Sequence, residues 1–344
     1  MRCARAVLGC LVVISVASAG SSAENRVTLE VITEQGISIT ALQNWNKLLQ
    51  NKGADSVTLR SGRNGERSEI QEVELGRTKL LKVKAILAAN EVLHLPDGAK
   101  FSKRNLSELP AWFHKVKVGG EDELKRQPGE YGMTAAEKAD LLAKLSQKVS
   151  FETHEQPLAD VLGRIGREIQ LEFRASDAII GKVQGYTARD ELQGIASGTA
   201  LAVLLRPYGL VMQPKREVGG AVHLHVLAMG TTNEAWPVGY SPKQSPAQVC
   251  PVLFQFIEVN INRTPLEQAL AAITPRLKTT VLRDHYTNAR DGIDTTKNEV
   301  RFPEGKTFYK KILDHILFQA MLSVELRVDE ADTPILWITS AKRG

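Results

Sequence analysis

The sequence predicts an α+β protein in which two tandem β-α-β-β-α-β-β units follow a separate, small mixed α/β domain. Three observations favour this class. An alternating strand pattern and an amphipathic helix follow one another in Val149–Phe173, and the same order returns in Phe256–Val281. The length of 344 residues suggests two to three domains of about 150 residues each.

The first helix of this pattern has a single apolar face. Pro157 stands at its start, where the missing N–H of a proline costs nothing. The spacing of three, one, three and four positions marks the face, which consists of Leu158, Val161, Leu162, Ile165 and Ile169. A shift of 108 positions carries Pro157 onto Pro265 and the face onto Leu266, Ala269, Leu270, Ile273 and Leu277. The common offset favours an internal duplication.

The second half of each unit follows the same plan. Thr199 matches Thr307 at the same offset, and each begins an apolar helical run. The first run ends at Arg206, because Pro207 cannot continue a helix. We expect the second run to add about one helical turn, which moves the offset to 112. At that offset the closing strands align in three pairs, Leu210 with Leu322, Leu224 with Leu336, and Val226 with Ile338.

Three segments of the first unit carry a family resemblance. They read QPLADVLGRIGREIQLEF, GTALAVLLRPYGLVM and HLHVL within Lys148–Met229. This stretch resembles the short N-terminal domain shared by secretins and some TonB-dependent outer-membrane receptors. The copy at Leu253–Ser340 is a weaker match that keeps TPLEQALAAI, SVELRV and ILWIT. The resemblance implies partners in envelope assembly or signalling.

The predicted organisation has six segments. They are a signal peptide at 1–23, a mixed α+β domain at 26–118, a charged linker at 119–133, the first unit with a leading helix at 134–229, a Pro-rich linker at 230–251, and the second unit at 252–340. The leading helix should begin with the capping box Thr134-Ala-Ala-Glu137. We expect the Pro-rich linker to be an extended, semi-rigid spacer.

The N-terminal domain matches no family that we recognise from its residues. Its pattern predicts two strands, a helix, a hairpin that turns at Gly76-Arg77, and a second helix. These elements are expected at Val27–Ile32, Val57–Leu59, Thr40–Gln50, Ile70–Leu75 with Leu80–Leu87, and Ser102–Val116.

The first residues predict export. Arg2 and Arg5 precede the apolar segment Ala6–Ala17, which is shorter than the roughly 20 residues that a membrane-spanning helix needs. Small residues favour cleavage after Ala23, and an uncleaved anchor helix is the alternative. We expect a periplasmic or extracellular protein with no integral membrane segment after signal removal. The 44 basic and 39 acidic residues indicate a mixed surface, so we expect no nucleic-acid partner.

Cys250 is the cysteine that remains once Cys3 and Cys10 leave with the signal peptide. We interpret it as a part-buried small apolar residue. The alternative is an intermolecular disulfide, which would give a homo-oligomer and support an adhesive or structural role.

Other candidate site residues favour ordinary structural interpretations. His223 and His225 lie two positions apart and could hold a metal, but no third ligand is near in sequence, so we expect exposed strand histidines. Asp284 and His285 could begin an acid–base site, but they lie in a polar stretch that we expect at the surface. His315 is expected on the outer side of a helix.

An arginine cluster is the remaining candidate. Arg60, Arg63 and Arg67 stand among Gly62 and Gly65 and could bind a phosphate or an acidic glycan. The segment lacks a full phosphate-loop pattern, so a solvated loop is favoured. The sequence predicts no catalytic residue, no cofactor and no metal site.

We therefore expect a non-catalytic exported interaction module of the cell envelope, which binds a protein partner through sheet edges or helix faces. The alternative is an envelope enzyme or glycan-binding protein with its site in the N-terminal domain or in an inter-domain cleft. A cluster of Asp284, His285 and His315 around a deep pocket would favour that alternative.

Overall fold

The computed structural model describes residues 25–63, 65–75 and 78–342. The α+β class is confirmed, because helices occur together with both parallel and antiparallel strand pairs. The predicted signal peptide at 1–23 and the turn at Gly76-Arg77 lie outside the described residues. Within the described ranges, no helix combines the length and apolar character needed to cross a bilayer.

The chain divides into two compact units. The first consists of the residues up to Pro128 together with Arg216–Ala221, and the second consists of Gly129–Lys215 and the residues from Val222 onward. Apart from Arg216–Ala221, both copies of the duplicated pattern therefore fall within the second unit.

The first unit is a mixed sheet covered on one face by two helices. Its elements are β1 (Arg26–Thr33), α1 (Ile39–Leu49), β2 (Ser56–Ser61), β3 (Glu69–Leu75), β4 (Thr78–Leu87), β5 (Leu93–His94), β6 (Lys100–Phe101) and α2 (Leu109–Lys125). Strand β1 pairs in parallel with β2 and β4, and β3 and β5 pair antiparallel with β4. Trp45 of α1 and Phe113 of α2 pack in the core beneath β1 and β4. Helix α2 continues to Lys125, past the predicted start of a linker, although Gly120 interrupts it with φ of 65°.

The second unit contains the leading helix and both copies. The first copy comprises α3 (Ala135–Leu145), α4 (Leu158–Ile169), β7 (Glu172–Arg174), α5 (Asp177–Val183), α6 (Ser197–Leu205), β8 (Leu210–Arg216) and β9 (Val222–Ala228). The second comprises α7 (Pro246–Val249), β10 (Phe256–Pro265), α8 (Leu266–Leu277), β11 (Thr280–Arg283), α9 (His285–Arg290), β12 (Glu299–Phe308), α10 (Tyr309–Gln319), β13 (Leu322–Val328) and β14 (Pro334–Ser340). The predicted capping box at Thr134 is present.

The two copies share their helices and sheets. Helices α4 and α8 each have 12 residues, begin directly after Pro157 and Pro265, and end at a residue in the left-handed conformation, Gln170 or Lys278. The sheets have the same strand orders, β7-β9-β8 and β11-β14-β13, with the first pair of each parallel. The duplication inferred from the sequence thus extends to strand order.

The position of the four extra residues in the second copy corrects the sequence alignment. Helices α5 and α9 still begin 108 positions apart, at Asp177 and His285, whereas α6 and α10 begin 112 positions apart, at Ser197 and Tyr309. The insertion therefore lies between α9 and β12, and the predicted match of Thr199 with Thr307 is wrong, since Thr307 belongs to β12. A 3-10 turn of three residues at Arg206–Tyr208 follows the nine residues of α6, so the first copy does not lack a helical turn relative to the 11 residues of α10.

The first copy lacks two of its predicted strands. Where the second copy has the antiparallel pair β10–β12, the first has two isolated bridges, Lys148↔Ala196 and Pro157↔Thr187. The buried Thr153 explains the difference: its Oγ1 donates to the carbonyl of Asp190 and accepts from the N–H of Leu192. A side chain that bonds the backbone in this way competes with a strand ladder.

Helix α6 is buried on all sides. Each of its nine residues is buried, because the sheet of the second copy covers the side that its own sheet leaves open. Ile335 and Trp337 of β14 join the core around α6, whereas the alternate residues Leu336 and Ile338 join the core around α8 and α10. The run Ile335–Ile338 is therefore continuously apolar, as in strands buried on both faces.

Residues 230–251 are a packed segment, which corrects the prediction of an extended spacer. Trp236 and Val238 are buried in the core around α6, and Tyr240 forms an antiparallel bridge with Val328 of β13. Burial of Trp236 and Val238 holds the segment in place, although its prolines predict an extended spacer.

Two glycines of α4 allow a matched test of this packing. A Cβ at Gly166 would lie 2.9 Å from the carbonyl oxygen of Leu171 and from the ring of Phe173, whereas one at Gly163 would meet only Arg167 at 3.5 Å. We expect Gly166→Ala to lower the free energy of unfolding by about 2 kcal/mol through overpacking. Gly163→Ala should raise it by up to about 1 kcal/mol through helix propensity. Urea unfolding measures both, and equal effects of the two variants would contradict the packing.

Candidate functional site

An acidic turn of the second copy binds the start of α6. Asp329 and Glu330 lie between β13 and β14. Asp329 accepts a hydrogen bond from the N–H of Ala196 at 2.8 Å. Glu330 accepts from the N–H of Thr199 at 3.0 Å and from the indole N–H of Trp236 at 2.6 Å. Burial raises the pKa of Glu330, although these hydrogen bonds oppose the rise. The turn supplies acceptors to helix N–H groups that lack partners within the helix.

Asp284 is buried, which corrects the expectation of a surface position. It precedes α9, accepts a hydrogen bond from the N–H of Thr287, and forms an ion pair of 2.7 Å with Arg206 at the end of α6. Its side chain is 1% exposed. Burial alone would raise the pKa of Asp284, but the hydrogen bonds and charge of Arg206, with the N–H of Thr287, bring it below its ordinary value.

His285 and His315 do not join Asp284 in one pocket. The Nε2 atom of His285 lies 3.1 Å from both carboxylate oxygens of Asp190 in the first copy. His315 is exposed on α10 as predicted, and its ring stands edge-on to Phe302 at 5.2 Å. Each side chain has its own structural partner, so the arrangement that would indicate acid–base catalysis is not formed by these three residues.

His223 is buried, contrary to the prediction, with 6% of its surface exposed. It lies opposite Glu172 across the parallel pair β7–β9, and its Nδ1 atom is 3.5 Å from that carboxylate. His225, two positions on, is half-buried. Over the described part of the chain, no three His, Cys, Asp or Glu side chains come together in a way that would hold a metal ion.

Cys250 lies in the core of the second copy and is 2% exposed. Its Sγ atom is 3.3 Å from the hydroxyl of Thr279. A thiol in this position packs as a small apolar side chain and is not presented to another molecule.

The arginine cluster is already neutralised in part. Arg60 forms ion pairs with Glu30 and Glu66, and its guanidinium hydrogen bonds lower the pKa of Glu66 to about 2. Arg60 therefore does not present a vacant guanidinium to a phosphate.

The pair β10–β12 forms a two-stranded ribbon, and the side chain of Gln319 bonds the backbone of Arg301 on β12. Each strand pairs only with the other among the described residues. Every second residue of β10 faces the core of the second copy and is half-buried, namely Ile257, Val259 and Ile261. The residues between them are exposed. A shallow polar depression of about 360 Å³ lies on the ribbon and includes Glu258 and Lys306. The ribbon thus offers unpaired backbone groups beside an apolar face.

An exposed aromatic cluster marks one end of the ribbon. The ring of Phe308 lies 5.9 Å from that of Phe254 and 6.1 Å from that of Phe256. Phe256 is 66% exposed, and the ammonium group of Lys306 lies 5.9 Å from its ring. Exposed aromatic groups of this kind are typical of interaction surfaces.

The aromatic residues of this cluster have no counterpart in the first copy. The positions of the first copy that correspond to Phe254, Phe256 and Phe308 hold Ser146, Lys148 and Ala196. A duplicated fold does not require aromatic residues at these positions, so their presence in the second copy points to a function of that copy.

Comparisons with family models, with curated proteins and with solved structures find no match to this chain.

The buried ion pair gives a test of the contact between the copies. Asp284→Asn leaves Arg206 without its counter-ion. Loss of one partner of a buried pair costs about 3–5 kcal/mol, and we expect the lower end because Arg206 is 29% exposed. The pKa of Asp284 is lower in the folded state than its ordinary value of 3.8. The ion pair therefore adds to the free energy of unfolding above pH 3.8, and this stabilisation is lost as the pH falls through the folded pKa.

Urea unfolding at neutral and acidic pH measures this difference. Asp294→Asn is the control, because Asp294 is exposed and pairs with Lys297 at the surface. The contact would be refuted by an Asp284→Asn variant as stable as the control at neutral pH.

Proposed function

We propose that this protein is a non-catalytic exported interaction module of the cell envelope, and that it binds an extended segment of a protein partner along the open edge of β10. The observation that carries the proposal is the ribbon, in which an unpaired strand edge lies beside the exposed ring of Phe256. Strand addition of this kind uses backbone hydrogen bonds for affinity and side-chain contacts for specificity.

The two strands of the ribbon differ in how far their edges are protected. Strand β12 contains Pro303 and Lys306, and its register shifts relative to β10 between Gly305 and Phe302. Proline, lysine and bulges are devices that keep an edge strand from pairing. The segment Phe256–Ile261 of β10 contains neither proline nor lysine. An added strand is therefore expected on β10.

The aromatic cluster supplies apolar area next to that edge. Complete burial of a phenylalanine side chain is worth about 1.5–3 kcal/mol, and most of Phe256 remains to be buried. Aromatic side chains contribute strongly at the centre of interfaces. A partner segment with an apolar residue opposite Phe256 would bind through two contributions, namely backbone hydrogen bonds to β10 and apolar contact with the ring.

Two sequence features support the cellular setting of this proposal. One is the charged and apolar pattern of residues 1–23, which predicts a cleaved export signal. The other is the resemblance of both copies to the short domain of secretins and TonB-dependent receptors, which suggests a partner in the envelope. The alternative of an enzyme or glycan-binding protein gains no support from Asp284, His285 and His315, because each is held by a separate partner.

Export has a direct test. Protein purified from the periplasmic or extracellular fraction should begin at Glu24 when its N-terminus is sequenced, because cleavage is predicted after Ala23. Cytoplasmic protein that keeps Met1 would contradict the proposed location without bearing on the ribbon.

Partner binding has a matched pair of variants. Phe256 on the ribbon and Phe318 on α10 are exposed by 66% and 72%. We expect Phe256→Ala to lose at least tenfold in affinity for a partner captured from envelope extracts, in line with loss of a well-buried aromatic contact. Phe318→Ala should retain the partner. Calorimetric titration of the purified pair measures both affinities.

Hydrogen exchange then tests the mode of binding. The partner should protect amides of Phe256–Ile261 and leave those of the edge strand β2 unchanged. Equal capture by both alanine variants, or protection elsewhere with none on β10, would refute the proposed surface.

A further inference from the structure

The open edge of β10 is also complementary to itself. We propose that two copies of this chain pair antiparallel through β10 and form a continuous four-stranded sheet with the order β12-β10-β10-β12. The proposal uses the edge that the proposed function assigns to a partner, but it depends only on that edge and on the side chains along it. The occupant of the edge in the absence of a partner is then a second copy.

One register places apolar side chains opposite one another on the face that packs on the core. With Val259 on the two-fold axis, Val259 lies opposite Val259 of the second copy, and Ile257 lies opposite Ile261 of the second copy. These three residues share the face that packs on the core. Pairs of β-branched residues directly opposite one another stabilise antiparallel strands. The apolar face of each ribbon would continue into that of the other.

The exposed face of the same register has no charge conflict. Glu258 lies opposite Asn260 of the second copy, so the carboxylate faces an amide that can donate a hydrogen bond. Phe256 lies opposite Asn262 of the second copy. The two-fold axis produces the Glu258–Asn260 pair twice, once on each side of Val259.

Neighbouring registers are disfavoured by the same residues. Centring the pair on Glu258 sets two carboxylates directly opposite one another, which is destabilising. Centring it on Asn260 sets the apolar Ile257 opposite Arg263, whose backbone has a positive φ of 46° at a register shift of the ribbon. A shift by a single residue would bring the apolar face of one copy against the polar face of the other. The sequence of β10 therefore favours one arrangement.

Two-fold symmetry also limits the assembly. In an isologous pair each copy contributes the same edge, so the pairing consumes both β10 edges and cannot propagate. The outer edges of the resulting sheet are those of β12, with Pro303 and Lys306. A sheet that ends in such residues resists further addition.

Charge substitutions at two exposed positions test the register. In Asn260→Lys, each new lysine faces Glu258 of the other copy, so we expect the dissociation constant of the dimer to fall about tenfold over the two symmetric pairs. In the double variant Glu258→Lys/Asn260→Lys, lysine faces lysine, and the constant should rise about tenfold above that of the unaltered protein. Glu258→Lys alone sets lysine opposite asparagine and should change the constant little.

Sedimentation velocity of the chain without its signal peptide, over a series of concentrations and at two salt concentrations, measures these constants. The charge effects should diminish at high salt. Glu258 and Asn260 are exposed, but Glu258 lies opposite Lys306 within its own ribbon, so a lysine at position 258 meets a like charge there. Circular dichroism and thermal unfolding therefore check that each variant keeps its fold.

Three results would overturn the proposal. They are a protein that stays monomeric at all concentrations, a double variant that dimerises as well as Asn260→Lys, and a Glu258→Lys variant as weak as the double variant. None of these affects partner binding, which the Phe256→Ala comparison tests separately. A dimer that strengthens and weakens with the two lysine patterns supports both the edge and the register.

Discussion

The requirement to cover both sides of α6 organises the second unit. All nine residues of this helix are buried, and its run Ala200–Leu205 is apolar throughout, as in helices that are surrounded on every side. Its own sheet covers one side, and Ile335 and Trp337 of the second copy cover the other. The copies therefore share a core, and β14 must be apolar on both faces to serve two cores at once.

Polar contacts at both ends of α6 fix the position of the second copy. Asp329 and Glu330 accept hydrogen bonds at its N-terminal end, where the helix dipole favours negative charge. At the other end Arg206 binds Asp284. The neighbouring His285 lies 3.1 Å from Asp190 of the first copy. Apolar burial provides most of the contact between α6 and the second copy. The polar groups fix the position of the sheet along the helix, because a shifted sheet would leave buried charges unpaired.

Periodicity predicted most of the elements, and long-range contacts account for the features that it missed. The apolar faces of α4 and α8 and the continuous apolar run of β14 are local patterns, so the sequence alone predicts them. Helices α5 and α9 have only seven and six residues, which is too short for a helical period to stand out. The burial of Asp284 depends on Arg206, which is distant in sequence. The sequence pattern did not predict that the second copy alone forms the ribbon with its aromatic end. This difference is visible only when each position is compared with the first copy.

Helix α10 presents a polar face at the positions where α6 is buried. Four buried positions of α6, Gly198, Thr199, Ala202 and Val203, correspond to Lys310, Lys311, Asp314 and His315 on α10. Three of the latter are exposed, so another sheet laid on this face would have to strip water from charged groups. Repeat arrays end in units whose outer face is polar. The exposed face of α10 has the polar composition of such an outer face, so its hydration opposes the packing of a further sheet there.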